Sequence, residues 1–199
     1  VIHYAKGAHT YKYLPKFNKN LFKNTSGFLV EYYEEEINKN NFISSEVLDG
    51  NKFWVFDGFA KEIINKSEKP NTIVKFSCEY QPDISGEHEF EVFAIGSSRL
   101  KIDDTEIIDN WTNTEPGEAF FSMASKPKRS KQILTKGQIY KIEIEYHFFG
   151  RFPAIQFGCK APDPHNLLKE AKEVAKKSDV VILIVGTNSD WETEGNDRE

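Results

Sequence analysis

The fold is decided by Tyr140-Lys141-Ile142-Glu143-Ile144-Glu145-Tyr146-His147-Phe148, in which apolar and charged or polar side chains alternate without a break. Successive side chains of a β-strand point to opposite faces, so this pattern predicts a half-buried antiparallel strand. Residues 73–79 and 89–94 alternate in the same way. The middle of the chain is therefore predicted to be all-β.

Shorter strand candidates lie on both sides of these stretches, and turn-forming residues separate them. The candidates are residues 28–33, 53–56, 99–102 and 154–157, and the turn signals are Gly50, Ser85-Gly86, Asp103-Asp104 and Gly137. Many short strands at this spacing predict a β-sandwich.

The period changes after residue 160. Asp163 can cap a helix that has Pro164 at its first position, and an apolar stripe then predicts a helix over 164–178. The run Val180–Val185 is apolar on both faces, which is typical of a parallel strand covered by helices. Residues 1–5 are the candidate for the preceding parallel strand.

These patterns predict a mainly β chain: an antiparallel β-sandwich inserted into the first βα unit of a partial α/β domain with a parallel sheet. The predicted boundaries are 1–23 for the start of the α/β domain, 24–160 for the sandwich, and 161–199 for the truncated continuation. Loops that leave the carboxyl ends of parallel strands share one edge of the sheet. We therefore expect the sandwich to lean over the loop that follows Val185.

Composition excludes several classes of function. The chain has 199 residues and a formal net charge of -5, and its Lys and Arg residues are scattered. Nucleic-acid and membrane partners are therefore not expected. The five histidines lack metal-ligand spacing, so no metal or other cofactor is predicted. Cys78 and Cys159 lie in alternating apolar stretches, where buried free thiols are commoner than a disulfide.

The loop after Val185 carries the sequence Trp191-Glu192-Thr193-Glu194-Gly195-Asn196-Asp197-Arg198. An apolar strand followed by this loop resembles the acid/base loop of family 3 glycoside hydrolases, the retaining β-glucosidases. The resemblance implies that Glu194, directly before Gly195, is the general acid/base, with Glu192 as the competing residue. A solvated acidic loop is the alternative interpretation of the same residues.

The central sequence also resembles a family, the anthrax-protective-antigen-type domains, which are carbohydrate-associated β-sandwiches. The residues that carry this resemblance are Gly27–Tyr33, Gly86 with Phe90, Arg99–Asp103, Ile107–Trp111, Gly117–Phe121 and Lys136–Tyr140. Some yeast β-glucosidases contain such a domain as an insertion. Related adhesins bind sugar through an Asp pair and Ca²⁺, but Gly96-Ser97-Ser98 stands at that position here. Asp103-Asp104 is better explained as a hairpin turn.

Together the resemblances imply a fragment of a retaining β-glucosidase that hydrolyses terminal non-reducing β-D-glucosyl residues. Its substrate would be a β-glucoside or a short β-gluco-oligosaccharide. The nucleophile would lie in the barrel domain of the same polypeptide, outside this chain, so the fragment alone is expected to be inactive. Ser189-Asp190-Trp191 resembles a nucleophile motif by coincidence. The alternative is a non-catalytic carbohydrate-binding or adhesin-type module.

Three aromatic residues are candidates for sugar binding. Phe120 and Phe121 lie in the long, turn-rich segment 112–130, where they could form a sugar-facing lid or pack into the sandwich. Trp191 could stack on a sugar or pack against the sheet.

Compartment, oligomeric state and aglycone preference stay open, a homo-oligomer of the parent enzyme included. The chain starts with Val1, so we expect an N-terminal part of the parent to precede it. The sequons at Asn24, Asn65 and Asn110 would matter only in a secretory compartment.

Overall fold

The computed structural model describes residues 1–66, 70–186, 188 and 190–191. These residues form two compact units. The first, here called the flanking unit, combines residues 1–13 with the described part of 162–199; the second, the sandwich unit, is Leu14–Ala161. Among the described residues, no helix has the length and hydropathy that crossing a membrane would require.

The sandwich unit consists of two antiparallel sheets. Its strands, in chain order, are β1 Phe28–Glu34, β2 Phe42–Leu48, β3 Lys52–Trp54, β4 Asn71–Tyr80, β5 Gly86–Ile95, β6 Ser97–Ile102, β7 Thr105–Asn110, β8 Lys128–Leu134, β9 Tyr140–Phe149 and β10 Ala154–Lys160. One sheet has the order β2-β1-β4-β9-β6-β7 and the other has the order β3-β10-β5-β8. The predicted mainly β sandwich is confirmed.

Short helical segments connect the strands. They are the 3-10 helices Lys19–Leu21, Lys39–Asn41 and Val55–Asp57, the α-helix Lys61–Lys66, and a helical turn at Ala119–Ser122.

The alternating stretch 140–148 lies within β9, which pairs with β4 on one side and β6 on the other. Its apolar residues Ile142, Ile144, Tyr146 and Phe148 are fully buried, whereas Lys141 is exposed. Burial on one face explains the alternation, because the opposite face carries ion pairs such as Lys101 to Glu145 at 2.5 Å.

Sequence analysis missed β2, β7 and β8, and all three are edge strands. No residue of β2 is buried, and in β8 only Leu134 is. A strand with a neighbour on one side only needs no strict alternation of apolar side chains. The turn at Asp103-Asp104 is confirmed: both residues have positive φ, 48° and 65°, and they join β6 to β7.

Aromatic rings fill the space between the sheets. Phe28 and Phe76 come from one sheet, Phe53 and Phe157 from the other, and the Phe28–Phe157 and Phe76–Phe157 ring centroids are 5.1 and 5.2 Å apart. Phe17, from the segment before β1, packs edge-on against Phe28 at 5.4 Å. Cys78 and Cys159 are buried free thiols, as predicted.

The entering segment is attached to the outer side of the smaller sheet through Glu91. This carboxylate is fully buried and accepts hydrogen bonds from Leu14 N at 2.8 Å and Arg129 Nε at 2.6 Å. Burial raises the pKa of Glu91, although both donors oppose the shift. A second bond, from Cys159 N to Pro15 O at 3.0 Å, holds the same segment along β10.

The flanking unit differs from the prediction. Residues 1–5 and Val180–Val185 belong to no strand, so the described chain contains no parallel sheet. The helix is Leu167–Lys176, shorter than the predicted 164–178, because the Asn166 side chain caps it by accepting from Lys169 N at 2.9 Å. Asp163, the predicted cap, instead bonds His9 Nε2 at 2.6 Å.

The physical reason for the missing parallel sheet is that a fully apolar strand needs hydrogen-bonded neighbours and cover on both faces. The side chains of Val180–Val185 are largely exposed, and those of Val1 and Ile2 are too. An apolar run specifies burial, but not the strands against which it is buried.

Tyr146 joins the two sheets through its hydroxyl group. The hydroxyl donates to Ile95 O at 2.7 Å and accepts from Ala154 N at 2.9 Å. Tyr146 is on β9 of the larger sheet, whereas Ile95 and Ala154 are on β5 and β10 of the smaller one. Both partners lie at the same end of the sandwich, since Ala154 and Ile95 are paired in register.

We predict that Tyr146→Phe lowers the free energy of unfolding by about 2 kcal/mol, because it leaves the buried Ala154 N–H without its acceptor. Chemical denaturation of this chain measures the effect. Tyr33→Phe is the matched control: the Tyr33 hydroxyl donates to Glu31 Oε1 at 3.0 Å on the solvent side of the larger sheet, and its loss should cost less than about 1 kcal/mol. Equal losses in both variants would contradict the role assigned to Tyr146.

Candidate functional site

Several loops meet at the end of the sandwich that Tyr146 holds together. Trp54, the last residue of β3, is in register with Ala154 at the start of β10, and Ala154 is in register with Ile95 at the end of β5. In the larger sheet Ser98 lies opposite Asn110, the last residue of β7. The connections β3–β4, β5–β6, β7–β8 and β9–β10 therefore emerge together, at what we call the tip end.

The β7–β8 connection, residues 111–127, begins at a turn organised by Asp109. Its Oδ1 accepts from Trp111 N at 2.7 Å and from Thr112 N at 3.0 Å, and its Oδ2 accepts from the Thr112 hydroxyl. The Thr112 hydroxyl, followed by these two N–H groups, lowers the pKa of Asp109 to about 2. Lys128 Nζ donates to Asp109 O at 2.8 Å and also to Asn113 O, which ties the end of the loop to its beginning.

Ser125 anchors the returning half of the same loop. It exchanges bonds with Ala94 of β5, donating from N to Ala94 O at 2.9 Å and accepting from Ala94 N at its Oγ at 3.2 Å. The buried Asn110 side chain also donates to Ser125 Oγ. Pro116 and Ser125 form an antiparallel bridge, so the loop is a hairpin with residues 117–124 at its end.

The end of this hairpin contains the two predicted phenylalanines in a strained backbone. Phe120, Phe121 and Ser122 have φ of 52°, 58° and 61°. The left-handed region costs about 1–2 kcal/mol per non-glycine residue, and such strain collects at ligand clamps and active sites. Three consecutive residues in this region make the hairpin end a candidate functional element.

The turn separates the two rings. Phe120 is only 8% exposed and lies 6.1 Å from Phe93 and 5.4 Å from Trp54, centroid to centroid. Phe121 is 80% exposed and touches Trp54 at 5.5 Å. Only Phe121 therefore has a ring face free for a ligand, while Phe120 supports it from inside.

Two further exposed rings continue from Trp54. Phe56 packs edge-on against Trp54 at 4.9 Å, and Phe152 of the β9–β10 connection lies 6.2 Å from Phe56. Phe56 is 67% exposed and Phe152 is 54% exposed. We call Trp54, Phe56, Phe121 and Phe152 the aromatic surface.

Sequence analysis did not identify Trp54, Phe56 or Phe152 as site residues. The available signal was aromatic residues beside turn residues: Phe56 precedes Asp57-Gly58, and Phe152 follows Gly150-Arg151. Exposed aromatics on loops are stronger indicators of binding than aromatics within strands.

The aromatic surface contains one polar side-chain atom, the Trp54 indole nitrogen, which is buried and has no hydrogen-bond partner. Lys52 Nζ lies 5.7 Å from the Phe120 ring centroid, at cation–π distance. Within the described ranges, no three His, Cys, Asp or Glu side chains converge as a metal site would require.

In the flanking unit, the Trp191 indole nitrogen donates to Thr10 O at 2.8 Å, and Lys12 Nζ lies 5.8 Å from its ring centroid. The polar edge of the Trp191 indole is therefore already hydrogen-bonded to the protein. Glu194, the predicted acid/base, and its competitor Glu192 lie outside the described residues, as do Gly195 and Asp197.

Comparison with known families identifies the sandwich. The model of the PA14 domain matches residues 25–149, which include β1 to β9. The chain belongs to the PA14 domain family. β10, the strand that carries Phe157 and Cys159, follows the matched part.

The match to known proteins extends beyond the PA14 domain. The chain is 31% identical over 209 aligned positions to a probable β-glucosidase H of Aspergillus clavatus, covering 98% of this chain and 24% of that protein. It is 35% identical over 141 positions to a β-glucosidase of Kluyveromyces marxianus, covering 66% of this chain and 17% of that protein. The resemblance to β-glucosidases that carry such a domain is confirmed.

A crystal structure of the K. marxianus β-glucosidase in complex with glucose superimposes with a TM-score of 0.82 and 27% identity, covering 100% of this chain and 25% of that one. The chain thus spans about a quarter of the length of the relatives it matches.

We predict that Asp109 stabilises the PA14 domain in a pH-dependent manner. Its pKa is about 2 in the folded chain against an ordinary value of 3.8, so its contribution is complete above about pH 4 and is lost as the pH falls towards 2. Thr112→Val removes the first of its donors and should move the Asp109 carboxyl titration, followed by NMR, upward.

Asp109→Asn cannot titrate, and its free energy of unfolding should vary less between pH 4 and pH 2 than that of the unmodified chain. Identical pH dependence in both proteins would contradict the prediction.

Proposed function

We propose that this chain is a segment of a retaining β-glucosidase of glycoside hydrolase family 3, called the parent below. The parent would hydrolyse terminal non-reducing β-D-glucosyl residues of β-glucosides or short β-gluco-oligosaccharides. The observation that carries the proposal is the extent of the match: 98% of the chain, both units included, aligns with a β-glucosidase H. A PA14 domain by itself would account for residues 25–149 only.

The proposal gives the flanking unit a place in the parent. Residues of its two terminal segments, 3–7 and 180–184, line one groove together with residues of the helix Leu167–Lys176. We propose that these segments become strands of an α/β domain when the parent supplies neighbouring strands, with the PA14 domain inserted between them. The domain boundaries 1–23, 24–160 and 161–199 stand as part of this proposal.

Glu194 would be the general acid/base. A retaining glycosidase needs one carboxylic acid that protonates the leaving oxygen and a carboxylate nucleophile about 5–5.5 Å away. The position of Glu194 before Gly195 supports this role, since the glycine lets the backbone turn. The nucleophile is assigned to a barrel domain of the parent, so this chain alone would be inactive on β-glucosides.

We predict that Glu194→Ala in the parent lowers kcat for substrates with poor leaving groups by about 10²–10⁴-fold, because their departure requires protonation. Substrates with good leaving groups should lose much less, and added azide should restore turnover by replacing the activated water. Steady-state kinetics on both substrate types measure this. Glu192→Ala is the control; if it shows this signature and Glu194→Ala does not, the assignment is wrong by two residues.

The PA14 domain would shape the aglycone side of the glucose pocket. Phe121 supports this role, because its ring is exposed on a strained turn while Phe120 holds the turn from below. Trp191 and Phe120 remain proposed substrate-binding residues, although the contacts of both lie with the protein in the described structure.

We predict that Phe121→Ala in the parent raises KM for a β-linked glucose disaccharide about tenfold and leaves KM for 4-nitrophenyl β-glucoside within about twofold. A small aglycone would barely reach the PA14 domain. Phe120→Ala is the comparison, and it should mainly lower thermal stability because that ring is buried. Equal effects of Phe121→Ala on both substrates would exclude a specific aglycone contact.

The second candidate function is a non-catalytic carbohydrate-binding or adhesin-type module. The observation that favours it is the independence of the sandwich unit, which has its own core and its own exposed rings. The parent gene separates the two candidates, because a barrel domain upstream of Val1 is required by the enzyme and not by an adhesin.

A further inference from the structure

One short segment of the flanking unit, residues 9–12, contacts two other parts of the chain. His9 Nε2 lies 2.6 Å from Asp163 Oδ1. The carbonyl oxygen of the next residue, Thr10, accepts from Trp191 Nε1 at 2.8 Å. The partners are 154 and 181 positions apart in the chain. These contacts are therefore set by the fold and not by the local sequence.

The His9 ring is held in a defined orientation. It stacks on Tyr11 with 4.8 Å between the ring centroids and 19° between the ring planes, and its side chain is only 18% exposed. An ionised carboxylate can only accept hydrogen bonds, so Nε2 carries the proton that it shares with Asp163. Nδ1 is buried and has no hydrogen-bond partner within the described chain. Nε2 is therefore the nitrogen through which the described residues orient the ring.

Stability alone does not explain the pair of His9 and Asp163. Ion pairs between partly exposed side chains contribute little to the free energy of folding, and a buried nitrogen without a partner lowers it. The pair does hold the backbone beside His9, and the Thr10 carbonyl is part of that backbone. Lys12 Nζ, 5.8 Å from the centroid of the Trp191 ring, adds a second contact from the same segment. The bond between His9 and Asp163 thus fixes the acceptor of the Trp191 indole.

Trp191 precedes Glu194 by three residues in the sequence. Three residues of extended chain span at most about 11 Å, so an anchor at Trp191 limits where the Glu194 carboxyl group can lie. A general acid must lie within hydrogen-bond reach of the oxygen that it protonates. A misplacement of about 1 Å can lower the rate about 10²-fold. The contacts of residues 9–12 can therefore act on proton transfer.

We propose that His9 is a positioning residue for the general acid/base. Its hydrogen bond to Asp163 holds the Thr10 carbonyl, which holds Trp191 and with it the chain that carries Glu194. The inference rests on the proposed function, in which Glu194 protonates the leaving oxygen. His9 precedes the sandwich unit in the chain and Asp163 follows it, so the inserted domain separates these two partners in sequence only.

Steady-state kinetics of the parent test the proposal. His9→Ala should lower kcat/KM about tenfold for cellobiose, whose leaving group needs protonation, and less than about twofold for 2,4-dinitrophenyl β-glucoside, whose leaving group does not. His9→Gln keeps an amide N–H near the Nε2 position and should restore most of the activity on cellobiose. A merely structural role would lower kcat/KM for both substrates alike, since both use the same glucose pocket.

An NMR measurement on this chain follows the same contact without catalysis. The chain contains three tryptophans, and Trp191→Phe assigns the indole N–H signal of Trp191. In His9→Ala that N–H should exchange with solvent about fivefold faster, the factor that corresponds to one ordinary hydrogen bond. The indole signals of Trp54 and Trp111 should not change. An unchanged exchange rate at Trp191 overturns the proposal.

His165→Ala is the matched control. It removes another histidine of the flanking unit that pairs with a carboxylate, that of Glu170, at 3.0 Å, and it should leave both readouts unchanged. Asp163→Ala should reproduce His9→Ala, and the double variant should be no worse than Asp163→Ala, because losses within one interacting pair are not additive. Additive losses overturn the proposal. His9→Asn, whose amide is too short to reach Asp163, replaces His9→Ala if that variant does not fold.

The proposed function and the positioning role fail in different ways. If Glu194→Ala in the parent does not distinguish good from poor leaving groups, the proposed function is wrong and the positioning role of His9 is wrong with it. If Glu194→Ala does distinguish them, but His9→Ala affects cellobiose and the dinitrophenyl glucoside equally or affects neither, only the positioning role is wrong.

Discussion

The hydroxyl group of Tyr146 is the interaction on which the tip end of the sandwich depends. It is buried between the sheets and bonds two backbone groups of the opposite sheet, Ile95 O and Ala154 N. Two apolar faces can pack in several registers, but these two bonds select one. The loops at this end start from strands whose relative position is therefore fixed.

That fixed end explains how loops of unrelated sequence present one surface. Ala154 brings its neighbour in register, Trp54, to the edge of the smaller sheet, and Ile95 leads into the hairpin next to Ser125. Asp109 and Ser125 then hold the two halves of the β7–β8 loop. A strained turn can persist only where its surroundings hold it in place, and these anchors provide the surroundings for Phe121.

Within the sandwich unit, the entering segment and the aromatic surface lie towards opposite ends of β10. The entering segment lies beside Gly158 and Cys159, towards the far end of β10 from Ala154. At about 3.3 Å per residue, the four to five residues that separate Ala154 from Gly158 and Cys159 in β10 correspond to about 15 Å between that attachment and the start of the strand.

The sequence by itself determined the central strands, the Asp103-Asp104 turn and the buried cysteines, because alternation and turn chemistry are local properties. The family followed from the resemblance of its motifs. It could not decide which of two adjacent phenylalanines faces inward, since no period distinguishes Phe120 from Phe121 on an irregular turn. It also predicted a parallel sheet that did not form in the described chain, because an apolar run does not supply its own neighbouring strands. The aromatic surface was decided by tertiary structure alone: Trp54, Phe121 and Phe152 are far apart in the chain, and only the pairing of β3, β5 and β10 brings their loops together.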